Sequence, residues 1–126
     1  MEPNRSRARS AWALAALLGL AGTTHFTRPK YYDAIVPRTL PGTPRQWTHI
    51  SGVAELALAT AVAVPRTRKL GGVAAAAFFI AVFPANVKMA LDFRSKSPKA
   101  RALAYGRLPL QIPLVAWAWK VAKAAP

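Results

Sequence analysis

The chain has 126 residues, a length that suits one domain, and 53% of them are hydrophobic. It carries 18 Lys+Arg against four acids, a net charge of +14, and no cysteine. The missing thiols exclude disulfide exchange, thiolate catalysis and cysteine-ligated metal or iron–sulfur centres.

The basic residues flank every apolar block instead of forming one face. That distribution argues against nucleic acid and fits anionic lipid headgroups, worth about 1 kcal/mol per charge near the surface. The blocks themselves are apolar nearly all round, as a membrane span or a deeply buried helix is. The pattern predicts an all-α membrane protein, a four-transmembrane-helix bundle with spans at about residues 11–27, 48–64, 70–91 and 104–122. A basic tail over residues 1–10 precedes a single membrane domain over residues 11–123.

In chain order, Arg5, Arg7 and Arg9 lead into AWALAALLGLAG. The same arrangement describes a secretory signal peptide. AGTTHF is a poor cleavage site, however, and three more apolar blocks follow, so the first helix is read as retained. Ala15, Gly19 and Gly22 share one helical face, and small residues at that spacing allow close helix approach in lipid. His25 continues the face one turn later.

The connection over residues 27–47 holds Pro29, Pro37, Pro41 and Pro44, which rule out a continuous helix. Its Tyr-rich stretch over residues 30–36 predicts a short interfacial helix between spans 1 and 2. The second block, THISGVAELALATAVAV, places Thr48, Ser51, Gly52, Glu55 and Ala59 on one face. A carboxylate such as Glu55 is expensive in hydrocarbon and marks a functional site by default. The basic turn PRTRKLGG makes the second and third blocks antiparallel neighbours. In the third block, Pro84 frees an upstream carbonyl close to Asn86. Lys88 and Asp92 are spaced for an i, i+4 pair. Before the last block comes a polar connection over residues 94–107. Pro109 and Pro113 make the start of that block irregular, with Gln111 between them. Trp117, Trp119, Lys120 and Lys123 close it as an aromatic and basic anchor. Four spans put both termini on one side, and the dense cluster of Arg66, Arg68 and Lys69 beside two spans favours the cytoplasmic side of a bacterial inner (plasma) membrane.

With GTTHF (residues 22–26), YYDAIVP (31–37), SGVAEL (51–56), FPANVKMA (83–90) and RLPLQ (107–111) in view, the sequence resembles the DoxX-like family of small bacterial integral membrane proteins. The resemblance covers the chain from about Ala11 onward. It implies a four-helix membrane bundle associated with quinol oxidase, thiosulfate–quinone oxidoreduction or oxidative-stress complexes. It supplies no catalytic residues.

Each block therefore contributes one polar group: His25, Glu55, Asn86 and Gln111. With Ser51 they form the candidate ligand pocket. Three uses of the cluster are open. The groups could bond one another and hold the bundle together, at about 0.6 kcal/mol per contact in membrane bundles. They could bind a quinone or another lipophilic ligand. They could carry a proton or ion through Glu55. No metal site is assigned: His25, His49 and Glu55 are the three conceivable ligands, and His49 and Glu55 lie on different faces of one helix. No nucleophile, base and acid are ordered by a motif, so no catalytic residue is named. The expected role is a non-catalytic subunit or scaffold in contact with membrane lipids and redox-complex subunits, with self-association open. The alternative is a quinone-interacting oxidoreductase component that draws its electrons from a partner or a bound cofactor.

Overall fold

In the computed structural model, residues 2–34, 36, 39–92 and 97–126 are described. Ile35, Pro37 and Arg38 of the first connection lie outside them, as do Arg94 and Lys96 of the last. The described helices are α1 (Glu2–Thr27), α2 (Pro29–Asp33), α3 (Pro44–Ala63), α4 (Arg68–Ala81), α5 (Phe83–Asp92) and α6 (Pro98–Ala124).

The basic residues before the first apolar block are helical, so Arg5, Arg7 and Arg9 occupy the first turns of α1. Pro29 starts α2, where its missing N–H costs nothing. Thr43 and Gln46 start α3 with a capping box: the Thr43 hydroxyl accepts from the Gln46 backbone N–H, and the Gln46 side chain accepts from the Thr43 backbone N–H. At the other end of α3, Arg68 is buried and its guanidinium donates to the carbonyls of Val62 and Ala63 at 2.8 Å each. Those last-turn carbonyls have no partner inside the helix, and a cation at a helix C-terminus is favourable. Arg68 reads in the sequence as one charge of a basic loop. It is in fact a helix cap.

Pro84 breaks the third block. The helix changes at Val82, and α4 and α5 replace one continuous rod. The final block runs the other way: α6 begins at Pro98 and continues through Pro109 and Pro113. Much of the expected polar connection is therefore helix.

α1 packs mainly on α3, α4 on α6, and α3 on α4. The core lies where these four meet, around Leu14 and Leu18 of α1, Val62 of α3, Phe79 of α4 and Val121 of α6. Glycines set the closest approaches. A Cβ on Gly22 would sit 2.9 Å from Leu56 Cγ, and one on Gly72 would sit 2.8 Å from the Ala122 backbone.

The four-span architecture is corrected here. Among the described residues, one segment, Arg68–Asp92, is long and apolar enough to cross a membrane, with a mean hydropathy of 1.9. The other helices fall short because polar side chains dilute their alanine- and leucine-rich runs. Thr23, Thr24 and His25 do so in α1, Gln46, His49 and Glu55 in α3, and Gln111, Lys120 and Lys123 in α6. Among the described residues the regular structure is helical, and the four-span bundle is not supported, since one segment and not four meets the length and hydropathy of a membrane crossing.

Candidate functional site

The end of α1, the middle of α3 and the start of α5 meet around a partly open cavity of about 100 Å³. His25, Ser51, Glu55 and Asn86 line it, with Tyr32 and Thr48 beside them. His25, Glu55 and Asn86 are 6%, 7% and 5% exposed, so three polar groups from three helices are withdrawn from solvent together.

Helical spacing explains the α3 side. Thr48, Ser51, Gly52 and Glu55 recur at three- and four-residue steps and so stack on one face. Gly52 lets α1 approach that face: a Cβ there would lie 2.8 Å from His25 Cβ and 2.7 Å from Phe26 Cε2.

His25 is held from three directions. Its Nδ1 lies 2.7 Å from the Ala21 carbonyl. A carbonyl only accepts, so Nδ1 carries the proton. Its ring stacks on Tyr32, with centroids 3.7 Å apart and planes 15° from parallel. Its Nε2 faces Glu55 Oε1 at 3.9 Å. That gap is too long for a direct hydrogen bond. Burial pulls the His25 pKa below the ordinary imidazole value, and the Ala21 contact opposes this only in part. Tyr32 is fixed in turn: the Thr24 hydroxyl donates to the Ala21 carbonyl at 2.7 Å, which leaves the Tyr32 hydroxyl to donate to Thr24 Oγ1 at 2.6 Å.

Asp33 staples α2 to α3. It accepts from the Thr48 hydroxyl at 2.6 Å and from Arg45 Nε at 2.9 Å. Partial burial pushes its pKa up, but these two hydrogen bonds and the Arg45 charge outweigh it, so the carboxyl titrates below its ordinary value. Lys88 bonds both Asp92 and the Ala34 carbonyl, the latter at 3.1 Å, and so ties α5 to the segment after α2.

Of the five residues read from the sequence, His25, Ser51, Glu55 and Asn86 share the cavity. Gln111 does not. It is buried, and its Nε2 donates to the Phe79 carbonyl at 2.8 Å. Phe79 lies in the last turn of α4, where carbonyls lack helical partners, so Gln111 closes a helix end. It borders a separate apolar groove of about 780 Å³ with Phe79, Phe83, Ile112 and Trp119. His49 also stays away and stacks on Phe26, with centroids 5.2 Å apart. No group of three metal-ligating side chains is clustered among the described residues.

Tyr32 is the site residue that the sequence hides. An adjacent tyrosine pair before a proline-rich segment reads as an interfacial anchor. Only the fold of α2 back against α1 turns one of the pair onto His25.

The chain matches no curated protein and no solved structure. The model of one family, described as a domain of unknown function (DUF8561), matches residues 14–122, which include every residue of the cavity. The chain belongs to the DUF8561 family.

Proposed function

We propose that the protein is a membrane-associated, non-catalytic binding subunit that holds the polar head of a lipophilic ligand, of the quinone class, in the His25–Ser51–Glu55–Asn86 cavity. The carrying observation is that His25 and Glu55 stand 3.9 Å apart at the wall of a polar cavity, at a spacing that an inserted group can bridge.

Membrane association rests on the outer surface. Leu20, Leu70, Ile80 and Ile112 are each more than 60% exposed, on three different helices, and other large apolar side chains accompany them. Extended apolar surface of this kind marks a lipid or partner contact. Arg66 and Lys69 stand at the start of Arg68–Asp92, where anionic headgroups would meet them. The DoxX-like resemblance supplies the quinone class and a redox or stress-defence complex as partner. With no cysteine in the chain, electrons in such a complex come from elsewhere.

The test is chemical. Protein extracted in mild detergent should carry a quinone, detected by ultraviolet absorbance of its solvent extract. Asn86→Leu should lose most of it. Quinone-free wild-type protein from quinone-replete membranes contradicts the reading.

A further inference from the structure

We infer that the apolar groove between α4, α5 and α6 holds one acyl chain of an anionic phospholipid, with the lipid phosphate at Lys69 and Lys123. The site is separate from the polar cavity. It rests on the membrane association proposed above and not on what that cavity binds.

The groove has a volume of about 780 Å³, and Phe79, Ile80 and Phe83 face Ile112 and Trp119 across it. Large apolar side chains stand open there: Ile80, Ile112 and Trp119 are 61%, 75% and 51% exposed. The lining is apolar apart from the Trp119 indole N–H and Gln111, whose Nε2 already donates to the Phe79 carbonyl at 2.8 Å. An occupant is therefore held by apolar contact, as a hydrocarbon chain is. Its length is set by α6. The eleven residue steps from Leu108 to Trp119 rise about 16 Å. That is close to half of the roughly 30 Å hydrocarbon core, the depth one acyl chain crosses.

The charge lies at one end of the groove. α4 and α6 run antiparallel: Gly72 near the start of α4 packs on Ala122 near the end of α6, and Phe79 near the end of α4 meets Gln111. The first turn of α4 and the last turn of α6 therefore share that end. Eleven residues make about three helical turns and return to the same face. Lys69 stands eleven residues before Ile80, and Lys123 eleven after Ile112. Each wall of the groove thus carries its face on to a lysine, and both lysines are exposed. Val73, on the α4 face between Lys69 and Ile80, is 41% exposed, so the apolar track reaches the charge. Neither lysine enters an ion pair among the described residues. An apolar trough that ends on two cations from two helices complements an amphiphile with an anionic head. A second copy of the chain is a poorer occupant, because its own net charge of +14 repels that end.

The experiment is a quenching titration of the whole chain, stripped of lipid and held in mixed detergent micelles. The two probes are phosphatidylglycerol and phosphatidylcholine brominated in the acyl chain, and the signal is tryptophan fluorescence. Phosphatidylglycerol should quench saturably, at about one lipid per chain. It should bind at least about tenfold tighter than phosphatidylcholine, as contacts of two lysines to an anionic headgroup require. Lys69→Gln combined with Lys123→Gln should bring the two lipids to equal affinity, and Trp119→Phe should remove the saturable signal. Phosphatidylcholine binding as tight as phosphatidylglycerol overturns the anionic site. A preference that survives the double substitution overturns the assignment to the two lysines. Saturable quenching that survives Trp119→Phe places the lipid outside the groove and overturns the proposal. So does the absence of saturable quenching, and a dimer that Ile112→Lys dissociates would then give the groove to a second copy. The wild-type comparison of the two lipids needs no variant to fold. Micelles present the lipid whether or not the protein is held in membranes, so failure here is distinct from failure to sediment with membranes.

Discussion

At the residue scale, the behaviour of His25 and Glu55 follows from burial. Glu55→Gln keeps the shape and most of the hydrogen-bonding capacity of the side chain, and should preserve stability to within about 1 kcal/mol. Glu55→Leu removes both oxygens from a group that is 7% exposed and strips its neighbours of their partner, at a cost of about 1–3 kcal/mol. Chemical denaturation of the two variants separates these outcomes. His25 predicts a pH dependence. Its folded pKa lies below the ordinary value of 6.5, so the unfolded chain binds the proton more tightly. Stability is then fully present above about pH 6.5 and declines as pH falls through the window below it. Unfolding midpoints measured from pH 8 to pH 5 should show this decline, and His25→Phe should flatten it. Asp33 has the same sign in a more acidic window, because its folded pKa also lies below its ordinary value.

At the element scale, the crossing of α1 and α3 decides whether the cavity exists, and the glycines on it are not equivalent. A Cβ at Gly52 would meet His25 and Phe26 at under 3 Å, whereas one at Gly19 would sit 3.8 Å from Ala59, an ordinary contact. Gly52→Ala should cost about 1–3 kcal/mol through overpacking. Gly19→Ala should be neutral, or stabilise by up to about 1 kcal/mol through helix propensity. Thermal unfolding of the pair tests the close approach directly. Part of this was legible in the chain: the small-residue face of α1 and the polar face of α3 follow from helical period and residue type, and Pro84 marked a disturbance of the third block, though not its division into α4 and α5. Gln111 and Arg68 were not legible. Both are recruited by helix ends, Gln111 by the Phe79 carbonyl and Arg68 by those of Val62 and Ala63. Which helix end lies near which side chain is a tertiary fact that no local spacing encodes. Tyr32 escaped for the same reason.

At the scale of the whole molecule, hydrophobic composition led to four spans where, among the described residues, one segment meets the length and hydropathy required. Alanine, glycine and threonine make a helix uncharged without making it strongly apolar, and the polar residues that build the site lower the hydropathy of their helices further. The outer surface nevertheless keeps large apolar groups in solvent, Ile112 at 75% and Leu70 at 74% exposed. The protein should therefore sediment with membranes and stay there through a high-salt wash that strips purely electrostatic binders. Recovery in the soluble fraction contradicts membrane association. The central claim is that the meeting point of α1, α3 and α5 is a ligand site. The natural absence of cysteine makes a single-thiol reporter free of background. Ser51→Cys places that thiol at the cavity wall, and Leu20→Cys places one on the outer surface as a reference. The rate of thiol modification with and without saturating decyl-benzoquinol is the most direct measurement. The ligand should slow labelling at position 51 at least about tenfold and leave position 20 unchanged, as occupancy of a specific pocket requires. Equal rates at position 51 with and without ligand would contradict it.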